Sequence, residues 1–256
     1  MTIITEHTDG QRVTEDGHGV RFILPARRHD RPVTRGVCTD RLFNGRKVRT
    51  FSIQAGDVSS EEARNYAGRL EDAPARAMAV FDTSKADVRG PGQKLRASFT
   101  VNVRPGLLMT HDWCGICQYN ARPNPAERWR NPPFAIGMKP RGRNSREEVF
   151  YVDLATFPTA GSQEQGRHVD LGPKAIVPFK RDRPYAFEIE FMDGAGGDGL
   201  LKVSVDGSPI VDYVGPTGYA NYAGCFFAYG LYRSCWCPGC EGLTANFEHV
   251  TEGAVS

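Results

Sequence analysis

The chain has 256 residues, 40% of them hydrophobic and 24% charged, with 32 basic against 30 acidic side chains. That length and apolar content suit one large folded domain and exclude wholesale disorder, while the near-balance of charge argues against a nucleic-acid coat. No run approaches the roughly 18 consecutive apolar residues of a membrane-spanning helix, so membrane insertion is not expected.

In chain order, residues 1–19 are polar and acidic and read as an N-terminal extension. They lack a charged region followed by an apolar one, so no secretory signal is expected, and the cellular address stays open between the cytoplasm, release by lysis and a particle. Alternation begins at Val20-Arg-Phe-Ile-Leu and returns at Arg49-Thr-Phe-Ser-Ile. The window from Ser59 to Ala79 is the best helical candidate, with Ser60 as cap, Glu61 and Glu62 in the first turn and Pro74 interrupting it. One short helix between strands is expected there. Period-two patterns then recur at Leu95–Val103, Tyr185–Phe191, Leu200–Val205 and Cys225–Tyr232. Each places apolar side chains on one face, as half-buried strands require. Asn44-Gly45, Gly90-Pro91-Gly92, the glycine-rich stretch from Asp193 to Gly199 and Asp206-Gly207 supply turns between them. The expected fold is all-β, a single jelly roll over residues 20–256, whose two curved sheets leave a concave groove for an extended polymer.

Charge is uneven along the chain. Residues Arg21 to Arg49 carry nine basic side chains against Asp30 and Asp40, and Arg122 to Arg146 carry seven against Glu127. If these segments line one face, an acidic polymer is the fitting partner; otherwise they are solvated loops. Arginine outnumbers lysine 25 to 7, which favours forked contacts to carboxylate groups.

Three passages carry a family resemblance. Tyr185–Phe191, Gly197–Gly207, Val211-Asp-Tyr, Gly215-Pro-Thr-Gly-Tyr219 and Phe226-Phe-Ala-Tyr-Gly-Leu-Tyr-Arg-Ser234 follow one another in order. Ile116-Cys-Gln-Tyr-Asn120 precedes Pro123-Asn-Pro and Pro132-Pro-Phe-Ala-Ile, and Val37-Cys-Thr-Asp-Arg41 lies nearer the start. This arrangement resembles the heparin-lyase-I-like and alginate-lyase-like polysaccharide lyases, which are β-jelly rolls. Their hallmarks are a Tyr-Phe-Lys-x-Gly-Ile-Tyr strand, a Gln-x-His strand and an Arg-Ser/Thr-Glu-Leu segment. The resemblance implies cleavage of an acidic uronate polymer by β-elimination, with no cofactor required for the chemistry. Polar groups neutralise the uronate carboxylate, a His or Tyr takes the C5 proton, and a Tyr protonates the departing O4.

Carried over residue by residue, Tyr232 matches the proton-transferring tyrosine and Gln118 the carboxylate neutraliser. Asn120 stands where the family has His; it can hydrogen-bond a carboxylate but cannot act as a base. Ala228 replaces the motif Lys, Phe226 its first Tyr, Cys38 the motif Arg and Asp40 the Glu. Period two keeps Gln118 and Asn120 together on one face of their strand, and likewise Ala228, Gly230 and Tyr232 on one face of theirs. Arg35, Arg41 and Arg122 are candidate substrate contacts. Trp113, like Trp129 and Trp236, flanks a motif strand where sugar rings could stack. His111, just upstream, offers a loop-borne base. Two function classes follow: a divergent lyase using Tyr232 with Gln118 and Asn120, or a non-catalytic carbohydrate-binding or structural module of a surface or virion assembly.

Seven cysteines are present. Cys114-Gly-Ile-Cys117 and Cys237-Pro-Gly-Cys240 are two C-x2-C pairs, the unit from which tetrahedral zinc sites are built. Because the family's Gln and Tyr strands are neighbours, the resemblance would let the pairs meet in a structural zinc clamp. Buried thiols or disulfides are the other readings, and residues three apart on an unbroken strand face opposite sides.

Overall fold

A computed structural model describes residues 4–15, 18–28, 31–32, 37–43, 46–54, 57–67, 74–81, 92–106, 109, 113–122, 131–142, 145–157, 167–219, 225–233 and 242–254. Two antiparallel sheets face each other. The first, here the front sheet, runs in the order β2 (Arg12–Glu15), β3 (His18–Ile23), β9 (Ala75–Phe81), β19 (Cys225–Arg233), β11 (Cys114–Ala121), β12 (Phe134–Pro140), β13 (Glu148–Phe157) and β15 (Ile176–Phe179). The back sheet runs β1 (Ile4–Glu6), β6 (Cys38–Phe43), β7 (Arg46–Ile53), β20 (Leu243–Ala254), β10 (Lys94–Val103), β16 (Pro184–Met192), β17 (Gly194–Val205) and β18 (Ser208–Tyr219). At one corner Thr156 of β13 pairs in parallel with Gly218 of β18, joining the sheets. This is the expected jelly roll.

Alternation explains the layering. Leu95, Ala97, Phe99, Val101 and Val103 of β10 point inward, and so do Tyr185, Phe187, Ile189 and Phe191 of β16. From the front sheet, Tyr119 stacks on Phe191 with ring centroids 5.4 Å apart and meets Phe227 at 5.1 Å. Burial of each such ring contributes about 1.5–3 kcal/mol. The β17–β18 hairpin closes through Asp206 (φ 51°) and Gly207 (φ 76°), the left-handed pair of a type I′ turn.

Three expectations are corrected. The N-terminal segment is not a separate extension: β1 pairs with β6 on the back sheet and β2 with β3 on the front sheet. The helix α1 covers only Ser60–Asn65, and its cap is Ser59, whose hydroxyl accepts from the Glu62 amide at 3.2 Å. Ala75–Phe81 is not helical but the strand β9; paired on both sides, its Ala75, Ala77 and Ala79 methyls pack inward. Tertiary pairing there overrides the helix preference of an Ala-, Met- and Arg-rich run.

A small sheet of β5 (Arg31–Pro32), β4 (Pro25–Arg28) and β8 (Asp57–Ser59) packs with α1 near β9. On the outer face of β3, β9 and β19, Ile23, Met78, Val80, Phe226 and Ala228 form a second apolar cluster, apart from the main core.

Candidate active site

The outer face of the front sheet carries the polar side chains singled out by sequence. Register sets them in rows. Arg76 of β9 pairs with Tyr232 of β19, Tyr232 with Gly115 of β11, Gly115 with Gly137 of β12, and Gly137 with Tyr151 of β13. The next row is Val80, Ala228, Gln118, Ala135 and Asp153. Asn120, opposite Phe226, lies one row further.

Tyr232 is held from two sides. The Arg76 guanidinium lies 4.4 Å from its ring centroid. Trp113, 38% exposed, packs edge-on at 5.3 Å. Arg76 in turn pairs with Glu62 at 2.7 Å and approaches Glu61 at 3.6 Å, so α1 anchors the arginine beneath the tyrosine. Burial works against the charge on Arg76, but Tyr232, Glu62 and Glu61 more than offset it and hold the guanidinium above its ordinary value. Burial also dominates at Glu62, whose carboxyl is raised despite Arg76.

Gln118 is buried and Asn120 half-buried on the same outer face as Tyr232. They do not share its row. Between the rows of Tyr232 and Gln118 lie about 7 Å of strand measured on β12 and about 13 Å measured on β9. The difference comes from bulges: relative to β12 the strand β11 carries an extra residue at Ile116, and β19 swells opposite the same point.

That bulge also corrects the expectation for Cys114 and Cys117. Both thiols lie in the core between the sheets rather than on opposite faces. Burial pushes the Cys114 thiol up to about 12 and raises Cys117 as well. Cys237 and Cys240 lie outside the described residues, as do Arg35, His111, Trp129 and Trp236. Among the described residues no group of three or more His, Cys, Asp or Glu side chains is arranged to hold a metal ion. Arg122 follows β11 directly and is half-buried.

The segment around Cys38 is a further correction. It forms β6 of the back sheet, with Cys38 and Asp40 buried and Arg41 exposed, so Arg41 is not on the Tyr232 face. The strand beside Tyr232 is β9, and its arginine is Arg76. Three residues of the site were not singled out by sequence: Arg76, Tyr151 and Lys139. Tyr151 lies over Gly137, where an added Cβ would sit 2.6 Å from its hydroxyl oxygen, and the Lys139 ammonium is 4.5 Å from its ring centroid. Burial first, then Asp153 and Cys114, raise the Tyr151 hydroxyl above its ordinary value, so it stays protonated. The β-branched and aromatic run Val149-Phe-Tyr-Val was the available signal for a strand carrying Tyr151.

No family model matches the chain, and no curated protein matches it in sequence. Solved structures do match in fold. An endo-β-1,4-glucuronan lyase from the fungus Trichoderma reesei superposes with a TM-score of 0.56 at 14% identity, over 99% of this chain and 95% of that one. Alginate lyase A1-II′ gives 0.56 at 10% identity over 88% and 86% of the two chains. Alginate lyase PA1167 from Pseudomonas aeruginosa gives 0.52 at 17% identity over 81% and 82%. The chain therefore has the β-jelly-roll fold of the alginate and glucuronan polysaccharide lyases.

Proposed function

We propose that this protein cleaves an acidic, uronate-containing polysaccharide by β-elimination on the outer face of the front sheet. The observation that carries the reading is Tyr232 beside Arg76, over the open floor of Gly115, in a fold shared with lyases of alginate and glucuronan.

In this reading Arg76 draws the carboxylate of the reacting uronate and stabilises the negative charge that develops as C5 loses its proton. Tyr232, acting as the phenolate, takes that proton; the C5–H electron pair becomes the C4–C5 double bond. The C4–O4 bond breaks, and Tyr232 returns the proton to the departing O4. Gln118 and Asn120, in the rows beyond, flank the row of Tyr232 and offer hydrogen bonds to the polar groups of the bound sugar. Trp113 offers its exposed ring to a sugar face. Because the product is an unsaturated uronate, the test is ultraviolet absorbance against alginate, glucuronan, heparin, heparan and chondroitin. Wild-type protein should give a rise on at least one polymer, and Tyr232→Phe should reduce it by about 10²-fold or more. Binding without any rise would instead support the adhesive module, a reading favoured by Asn120 and Ala228 standing where the lyase motifs have His and Lys.

A further inference from the structure

We propose that Tyr151 and Lys139 form a second carbohydrate subsite, which seats a uronate unit of the same polymer three strands away from Tyr232. The inference rests on the lyase reading for its ligand class, and on separate geometry for its place.

The row from Tyr232 to Tyr151 crosses two glycines. Among the described residues a Cβ at Gly115 would meet nothing closer than the Tyr232 carbonyl oxygen at 3.7 Å, so none of them obstructs the floor there. At Gly137 the ring of Tyr151 occupies the space a side chain would fill, with ring carbons 2.7 Å from an added Cβ. The ring is thus laid along the sheet rather than standing away from it. Lys139, two residues along β12 on the same face, holds its ammonium 4.5 Å from the ring centroid. Among the described residues Lys139 has no carboxylate partner, and its ammonium rests on the aromatic face. On the same strand as Tyr151, two residues on, Asp153 is engaged by His168 at 2.7 Å.

A half-buried aromatic ring beside an ammonium that has no carboxylate partner among the described residues matches one unit of a polyuronate. The sugar's C–H face stacks on the ring, and its carboxylate draws Lys139 off it. Along this row three strand spacings, roughly 14 Å, separate Tyr232 from Tyr151, room for a short run of sugars. The polymer therefore runs across the strands, over Gly115 and Gly137, and the protein prefers longer chains.

Calorimetric titration with alginate, glucuronan and their oligomers of graded length tests this, using Lys139→Ala and Tyr151→Ala in the Tyr232→Phe background. Each should weaken binding of the responding polymer about tenfold, with the loss shrinking as the oligomer shortens. Lys202→Ala, on the back sheet beside Asp212 at 3.7 Å, is the control and should change nothing. Unaltered affinity at every length, or an equal loss at every length, overturns the subsite while leaving the lyase reading standing. Absence of binding by the parent to any uronate polymer overturns both. Binding with the expected length dependence, but no turnover by the wild type, supports the subsite and overturns the lyase reading. Near-ultraviolet circular dichroism checks that Tyr151→Ala is folded, and Lys139→Ala, which removes only a half-buried stem, carries the test if it is not.

Discussion

Gly230 has a φ of +134° where β19 bulges, two residues before Tyr232. A Cβ there would collide with the Ala77 carbonyl oxygen and lie 2.8 Å from the Met78 Cα, both backbone atoms of β9 that cannot swing aside. Gly230→Ala should therefore cost about 1–3 kcal/mol, read as a lower urea midpoint. An unchanged midpoint would show that the bulge tolerates a side chain. The position also shows how far the sequence reaches at this scale. Gly230, Tyr232 and Gln118 are visible because each sits in a short motif with fixed spacing. Arg76 was not, because Ala75–Phe81 reads as helix until its pairing with β3 and β19 is known. The Gly115–Gly137 floor was hidden for another reason: it exists only across strands, in a register displaced by the bulge at Ile116.

Among elements, β6, β7 and β19 are tied by charge inside the sandwich. Arg49 donates to both oxygens of Asp40, from Nε at 2.7 Å and from Nη2 at 2.6 Å, and its third arm reaches the Tyr229 hydroxyl at 2.6 Å. His7 Nε2 and Lys47 Nζ approach the same carboxylate at 3.0 and 3.1 Å. Burial alone would raise the Asp40 carboxyl, but the close approach of His7, the hydrogen bonds from Arg49 and the charges of Arg49 and Lys47 drive it well below the carboxylate range. The segment that looked like a degenerate substrate-binding motif thus braces the strand that bears Tyr232. Asp40→Ala leaves the Arg49 guanidinium, 3% exposed, without its carboxylate and should cost about 3–5 kcal/mol at neutral pH. A group whose folded value is depressed stabilises above its unfolded value and loses that contribution as pH falls. The gap between wild type and Asp40→Ala in urea titrations should therefore be full at neutral pH and narrow below 3.8, the ordinary carboxylate value. A gap that stays constant into acid would show that packing, not the ionised carboxylate, carries the effect.

For the whole molecule, the order of strands in space departs from their order in the chain, which makes the two ends of the sequence unequal. β20, the last strand, lies in the middle of the back sheet between β7 and β10, and its Leu243, Ala245 and Phe247 are buried. β1, the first, hangs on the edge of the same sheet by its pairing with β6. Alternation could announce strands but not this inequality, since period two says which face a residue takes and nothing about which strand lies beside it. Removing residues 243–256 takes out a central ladder partner on both sides and exposes Phe51, Phe99 and the rest of the aromatic layer around Phe247. Such a chain should show no cooperative unfolding transition. Removing residues 1–6 spares His7 and Asp40 and strips only an edge, so the transition should persist at a modestly lower midpoint. Calorimetry on the two truncations distinguishes them. Cooperative melting of the C-terminal truncation would mean that the front sheet, with Tyr232 and Tyr151 on it, folds without the back sheet's centre. The hydrogen bond from Arg49 of β7, in the back sheet, to Tyr229 of β19, in the front sheet, argues the reverse: the site forms only when both sheets close.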